Sequence, residues 1–109
     1  MKFKMPFVIH NLNKTKFGRW IMEGYPAKYH YPFIMVAGDR NWVSERLWKH
    51  ELIHHYQVLR DGWFKFNYRY IRQLQTVGYM NIDYEIEAYE RMDEPLTSKE
   101  RNHVRKDDD

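Results

Sequence analysis

The sequence predicts an α+β fold, a short antiparallel sheet of N-terminal strands packed against about three helices. Three observations support this prediction. Residues 1–37 carry short apolar runs divided by turn residues, residues 45–61 carry apolar residues at helical spacing, and the 109-residue chain suits one domain. We expect that domain to span residues 1–96. Residues 97–109 are charged and are predicted to form a frayed or disordered tail.

The predicted strands are the apolar runs at residues 7–10, 20–22 and 29–37. Turn chemistry, including Gly24 and Pro26, follows the second run. Pro32 interrupts the third run and has no N–H to donate to a neighbouring strand. That strand therefore lies at a sheet edge or begins after Pro32.

Three helices are predicted in the second half of the chain. Ser44 is a good N-cap for a helix over residues 45–61, and Gly62 suits the position just beyond its C-terminus. Apolar residues recur at helical spacing over residues 63–75, which indicates a second helix. A third is predicted over residues 82–93 and is ended by Pro95.

Composition excludes several classes of function. The chain has no Cys, which excludes a disulfide framework, zinc-thiolate and iron–sulfur sites, and a cysteine nucleophile. Any metal must be held by His, Asp or Glu. The net charge of +3 is too small to argue for nucleic acid as a partner. No apolar run reaches the roughly 18 residues of a membrane span, and none has signal-peptide length near the start, so we expect a cytoplasmic protein with no membrane partner.

The first predicted helix contains His50-Glu51-Leu52-Ile53-His54, the pattern H-E-x-x-H. Residues i and i+4 lie one above the other on a helix face, so His50 and His54 can reach one metal ion. Glu51 points to another part of the same side, where it can deprotonate a metal-bound water. A catalytic zinc site needs a third protein ligand and an open position for that water.

The third predicted helix offers this ligand. An acidic, solvated stripe runs along it, formed by Asp83, Glu87, Glu90 and Glu94. Glu85 lies apart from that stripe. Its neighbours on the helix are apolar: Ile82, Ile86 and Tyr89. A carboxylate placed there needs a cation to pair with, and a zinc ion is one such cation.

A basic stripe formed by Lys65, Arg69 and Arg72 runs along the second predicted helix. It is either a phosphate-contacting patch or a solvated face opposite the acidic stripe of the third helix. We favour the solvated face.

These motifs resemble those of the gluzincin metallopeptidases, which carry H-E-x-x-H on one helix and a ligand Glu in an E-x-x-A segment on a later one. Here the corresponding segments are residues 50–57 and Glu85-Ile86-Glu87-Ala88. The chain resembles more closely the small stand-alone H-E-x-x-H-x-x-Q metallopeptidase domains of bacteria and bacteriophages. The resemblance covers residues 44–92 and implies a minimal zincin-like fold.

The resemblance implies a zinc-dependent hydrolase acting on a peptide or protein. By this resemblance His50, His54 and Glu85 bind one Zn²⁺ ion, and Glu51 is the general base. Glu87 competes with Glu85 for the third position, but the two residues point about 200° apart on a helix, and we favour Glu85. Substrate is expected to pair with a strand at residues 33–37.

Other roles remain open at the sequence level. Many gluzincins orient a zinc-bound His with an Asp four residues after the ligand Glu, where this chain has Tyr89. Gln57 falls on the same helix face as His50. Candidate donors to the reaction's oxyanion are Tyr56, Tyr79, Tyr84, Tyr89, His55 and His30. The alternative function is a zinc-containing binding or structural module without hydrolytic activity, and the sequence predicts no oligomeric state.

Overall fold

The computed structural model describes residues 5–100, which fold into a three-stranded sheet and four α-helices. The elements are β1 (Phe7–Ile9), α1 (Lys16–Met22), β2 (Ala27–His30), β3 (Phe33–Val36), α2 (Glu45–Asp61), α3 (Trp63–Val77) and α4 (Asp83–Arg91). The predicted α+β class is confirmed. Within residues 5–100, no helix combines the length and the apolar character needed to cross a membrane.

The sheet is mixed, whereas the sequence analysis expected an antiparallel one. Its order is β1-β3-β2, with β1 parallel and β2 antiparallel to β3. The third apolar run is thus a hairpin whose turn contains Pro32, and β3 begins directly after it. Because Pro32 lies in the turn, its missing N–H interrupts no strand pairing, and β3 takes the central position. The alternative of an edge strand was wrong.

Residues 20–22, expected to be extended, belong to helix α1. Thr15 caps this helix, because its hydroxyl accepts a hydrogen bond from the Gly18 N–H at 2.9 Å. Gly18 also allows the helix to press against the preceding 3-10 turn, since a Cβ there would lie 1.7 Å from the Leu12 carbonyl oxygen. Met22 at its end is fully buried.

Helix α2 has the predicted bounds. The Ser44 hydroxyl accepts a hydrogen bond from the Leu47 N–H at 3.1 Å, and Gly62 ends the helix with a φ of 90° that glycine tolerates best. Helix α3 is two residues longer than predicted. Helix α4 is shorter than predicted, beginning one residue later and ending two residues earlier.

Two apolar clusters hold α2 in the centre of the protein. The first joins α2 to the sheet and is built on Ala27, Ile34, Val36, Val43, Trp48, Leu52 and Leu96. The second joins the C-terminal half of α2 to α3 and α4 and is built on Val58, Phe66, Ile82 and Tyr84. The H-E-x-x-H residues lie on the part of α2 that these two clusters hold in place from either end.

The expected tail begins with ordered structure. Thr97 and Glu100 form a reciprocal capping box, in which the Thr97 N–H donates to Glu100 Oε1 at 2.8 Å and the Glu100 N–H donates to Thr97 Oγ1 at 3.2 Å. Glu100 is buried and forms an ion pair with Lys49 of α2 at 3.0 Å. Residues 97–100 therefore differ from the frayed tail expected from the sequence. The rest of that segment, residues 101–109, lies outside the described residues.

Candidate metal centre

Helix α2 presents two imidazoles side by side. His50 and His54 are one helical turn apart and both buried, and their Nε2 atoms lie 3.1 Å from each other. The rings meet edge to face with centroids 4.8 Å apart, so both aim one nitrogen at a common point. This is the geometry that the i, i+4 spacing predicts.

Glu85 of α4 completes the cluster. Its Oε1 lies 3.0 Å from His50 Nε2 and 3.1 Å from His54 Nε2, and the residue is 4% exposed. Ala88, fully buried one turn later, leaves space for α4 to approach α2 closely. His50, His54 and Glu85 could hold a metal ion.

The spacing of the three atoms suits a small ion. Two ligand atoms that each lie about 2.0–2.1 Å from a tetrahedral ion are separated by about 3.3–3.4 Å. The three separations here, 3.0–3.1 Å, lie within a few tenths of an ångström of that value. A slight expansion of the cluster would accommodate the ion without moving either helix.

The charge of the cluster also suits a bound cation. Burial alone would raise the pKa of Glu85, but hydrogen bonds from His50 and His54 and the positive charge of His54, together with a hydrogen bond from Tyr70, hold it well below its usual range. Burial opposes protonation of His54, yet the contact with Glu85 raises the pKa of that imidazole overall. The carboxylate is thus an anionic ligand that already attracts positive charge to this point.

Gln57 fixes the orientation of His54. Its amide nitrogen donates to the Tyr84 carbonyl at 2.9 Å and to Glu87 Oε1 at 2.7 Å, so its oxygen must be the atom 2.9 Å from His54 Nδ1. Nδ1 therefore carries a proton and donates a hydrogen bond to Gln57. When Nε2 gives up its own proton, its lone pair faces the cluster and is available to a metal ion.

Glu87 is not one of the three clustered ligands. Besides Gln57, it accepts hydrogen bonds from Arg60 at 3.2 Å. The group of side chains that could hold a metal ion contains Glu85 and not Glu87.

Tyr89 does not take the place of the expected carboxylate. Its ring packs edge to face against His50, with centroids 4.6 Å apart, while the buried Nδ1 of His50 has no hydrogen-bond partner within residues 5–100. Tyr89 therefore limits the tilt of the His50 ring by packing and does not accept its proton.

Sequence reasoning missed Tyr70. This residue of α3 donates a hydrogen bond from its hydroxyl to Glu85 Oε2 at 2.5 Å. One carboxylate oxygen of Glu85 is thereby held away from the histidines while the other faces them. Tyr70 lies 15 residues from Glu85 on a separate helix, so no spacing rule could have connected the two.

Glu51 lies beside the cluster in the wall of a cavity of about 570 Å³. Burial raises the pKa of Glu51 to about 7; the positive charge of His54 opposes this rise, and the carboxylate of Glu85 adds to it. A carboxyl group with this pKa can both accept and release a proton near neutrality. The cavity extends from the histidines toward α1 and is lined largely by aromatic rings, including those of Tyr29, Tyr31, Phe66, Tyr70 and Tyr79.

The candidate oxyanion donors are now separated into two groups. Tyr56 donates its hydroxyl to Glu100, and Tyr84 donates its hydroxyl to Asp61 at 2.8 Å, so both are engaged elsewhere and neither lines the cavity. Tyr79 and His30 do line it.

His55 is fully buried, and its ring contacts Tyr29, a residue that the sequence analysis did not consider. Its Nδ1 lies 2.8 Å from the Tyr29 hydroxyl, and Tyr29 is part of the cavity wall. Tyr29 lies in the third apolar run of the sequence, but nothing in that run indicates that its hydroxyl meets His55.

The strand at the cavity is β2. The sequence analysis expected residues 33–37 to form the binding edge, but β3 is paired on both sides. Four consecutive residues of β2, from Ala27 to His30, line the cavity, whereas Met35 is the one residue of β3 that does so. As β2 is an edge strand, its outer backbone groups are available to an extended peptide.

Comparisons of this chain with protein-family models, curated proteins and solved structures give no match.

Proposed function

We propose that the protein is a zinc-dependent metallopeptidase, with His50, His54 and Glu85 as the zinc ligands and Glu51 as the general base. The observation that carries this proposal is the convergence of three ligand atoms from two helices within 3.0–3.1 Å, beside a buried carboxyl group in the wall of an open cavity. A purely structural ion would need neither the carboxyl group nor the cavity.

The donor set favours zinc. Two imidazole nitrogens and one carboxylate are the ligands of many catalytic zinc sites, which keep a fourth position for water. Non-haem iron sites use the same three ligand types, so the ion is identified by measurement. When bound here, zinc supplies a Lewis acid that polarises the scissile carbonyl and lowers the pKa of a water ligand toward about 7.

The chain's own residues then perform the proton transfers. Glu51 accepts a proton from the attacking water and later donates it to the leaving amine, since its raised pKa of about 7 suits both steps. Gln57 and Tyr70 keep His54 and Glu85 in their orientations. An extended peptide pairs with β2, and the hydroxyls of Tyr29 or Tyr79 lie on the cavity wall where they can donate to the oxyanion.

Zinc content tests the site. We expect elemental analysis to find one zinc per chain in the wild type and almost none in His54→Ala. His10→Ala serves as the matched control, because His10 lies outside the cluster and should leave zinc content unchanged. Equal and negligible zinc in the wild type and His54→Ala would remove the metal site.

Cleavage of a disordered protein tests the activity. Glu51→Gln should retain zinc and lose about 10²- to 10⁴-fold in cleavage rate, the usual contribution of a general base. Glu90→Gln, on the exposed side of α4, should behave as the wild type. If the wild type and Glu51→Gln bind zinc equally and neither cleaves, the alternative of a zinc-containing structural module is correct; in that case the ion would serve to join α2 to α4.

A further inference from the structure

Helix α3 carries many exposed apolar side chains. Of its 15 residues only Phe66 is buried. Six large apolar side chains are exposed along it, and we call them the α3 face: Trp63, Phe64, Tyr68, Ile71, Leu74 and Val77. Phe64 alone is 76% exposed, and Met80 continues the face beyond the helix. Contiguous exposed apolar residues of this kind mark interaction surfaces.

The spacing of these residues makes one continuous surface. Phe64, Tyr68 and Ile71 follow i, i+4 and i+7, and Trp63, Leu74 and Val77 fill the neighbouring stripe. A helix of this length extends about 22 Å. The surface is thus a convex ridge along the helix.

Positive charge flanks one side of the α3 face. Lys65 and Arg72 lie seven residues apart, two turns along the same side of the helix, and both are exposed. Arg69, between them, is turned toward α4 and pairs with Asp83 at 3.0 Å. The partner of this surface must therefore accept apolar side chains at its centre and cations at its border.

We propose that the α3 face docks on an anionic lipid bilayer, with α3 lying in the plane of the membrane surface. Aromatic and aliphatic side chains of such a helix enter the boundary between head groups and acyl chains, while Lys and Arg extend to the anionic head groups. The sequence-based expectation of no membrane partner was founded on the lack of a spanning segment, and a helix at the surface requires none.

A second copy of the chain fits this surface less well. In a two-fold dimer with the α3 helices antiparallel and face to face, the cationic borders of the two copies would lie on the same side of the interface. Lys65 and Arg72 of both copies would then crowd like charges along one border.

Docking in this orientation would bring the membrane near the cavity. Asn67 lies on α3 between Trp63 and Ile71 and is part of the cavity wall. Trp20 of α1 also lines the cavity, is itself 73% exposed, and stacks on Phe17 at a centroid distance of 5.9 Å. The cavity wall thus includes an exposed aromatic ring of α1 as well as a residue of α3.

Vesicle co-sedimentation tests the proposal. The probes are vesicles of phosphatidylcholine alone and vesicles containing about a third phosphatidylglycerol. We expect the full-length wild type to bind the anionic vesicles, with a blue shift of tryptophan emission that Trp63→Phe diminishes. The double variant Phe64→Ser/Ile71→Ser should lose at least about tenfold in partitioning, and so should Lys65→Glu/Arg72→Glu.

A matched variant distinguishes binding through the α3 face from nonspecific binding to vesicles. Trp42→Ser removes an exposed aromatic ring outside α1 and α3, and this variant should bind vesicles as the wild type does. Unchanged far-UV circular dichroism and zinc content would establish that the α3 variants are folded. Failure of the wild type to bind anionic vesicles overturns the proposal. So does a dimer seen by light scattering that Phe64→Ser/Ile71→Ser converts to monomer, since that result assigns the face to a second copy.

Discussion

Gln57 connects the metal centre to the rest of the protein, because its amide contacts His54 on one side and Tyr84 and Glu87 on the other. Gln57→Leu keeps a similar volume and removes the acceptor for His54 Nδ1. We expect zinc affinity to fall about 10- to 100-fold, the usual effect of losing such an outer partner. Competition with a chromogenic chelator measures the change.

The control for this variant is Gln75→Leu, an exposed position on α3. It should leave zinc affinity unchanged. An equal affinity for zinc in Gln57→Leu and the wild type would mean that the His54 orientation is set by ring packing alone.

The variant Tyr70→Phe tests whether the hydrogen bond from Tyr70 to Oε2 holds the Glu85 carboxylate in its orientation. Tyr70→Phe removes the hydroxyl 2.5 Å from Glu85 Oε2 and leaves the ring contact with Phe66 in place. A hydrogen bond to a charged group contributes about 1.5–3 kcal/mol, and water from the cavity can replace part of it, so we expect zinc affinity to fall about tenfold. Tyr68→Phe is the matched control, since Tyr68 is exposed on the same helix, and its loss of a hydroxyl should have no effect on affinity.

At the scale of single residues, the sequence predicted what local spacing controls. His50 and His54 followed from the i, i+4 rule, and Glu85 followed from the cost of a carboxylate among apolar neighbours. Tyr70 and Tyr29 could not be predicted, because each meets its partner only when separate elements pack together. No short segment of the sequence predicts the packing of helices and strands that brings these residues to their partners.

The helical turn that begins at Thr97 is attached to α2 through one buried carboxylate. Burial alone would raise the pKa of Glu100, but hydrogen bonds from the Tyr56 hydroxyl, the Thr97 N–H and the Lys49 ammonium outweigh it and hold that pKa below its usual range. Stability from a group with a lowered pKa is fully present above its unfolded pKa, about 4.3, and is lost as pH falls through the folded value.

Glu100→Gln should therefore lower the free energy of unfolding at about pH 7 by about 1–3 kcal/mol, because it removes the charged acceptor of a buried ion pair. Its disadvantage relative to the wild type should shrink as pH falls below about 4.3. Urea unfolding at several pH values measures this difference. Glu94→Gln, which breaks an exposed pair with Arg91, should change stability by less than about 1 kcal/mol at any pH. A constant difference between Glu100→Gln and the wild type across this range would contradict the assigned pKa.

At the scale of elements, prediction was best where both ends of a helix carry local signals. Ser44 and Gly62 define α2 without help from the rest of the fold. Helix α1 was missed although Thr15 is a good cap, because seven residues with a glycine among them give a weak periodic pattern. The parallel pairing of β1 with β3 joins residues such as Phe7 and Phe33, and nothing in either strand specifies a partner so distant in sequence.

The whole molecule is organised around α2, which shares one apolar cluster with the sheet and another with α3 and α4. Between these clusters, the candidate metal centre puts a carboxylate and two imidazoles in a buried position. Without an ion, this arrangement depends on hydrogen bonds that must share protons between three groups. An ion replaces those protons and joins α2 to α4 directly, so metal binding and folding should be coupled.

Zinc should accordingly stabilise the whole protein. An ion present at about 100 times its dissociation constant adds about 2.7 kcal/mol, and for a domain of this size each kcal/mol raises Tm by about 4–8 °C. We expect chelation to lower the Tm of the wild type by about 10–20 °C and added zinc to restore it. Differential scanning calorimetry of His54→Ala should show no response to zinc, whereas His10→Ala should respond as the wild type does. A wild-type Tm that is the same with and without zinc, in a protein that binds the ion, would mean that the unfolded chain binds zinc as tightly as the folded one and would contradict this coupling.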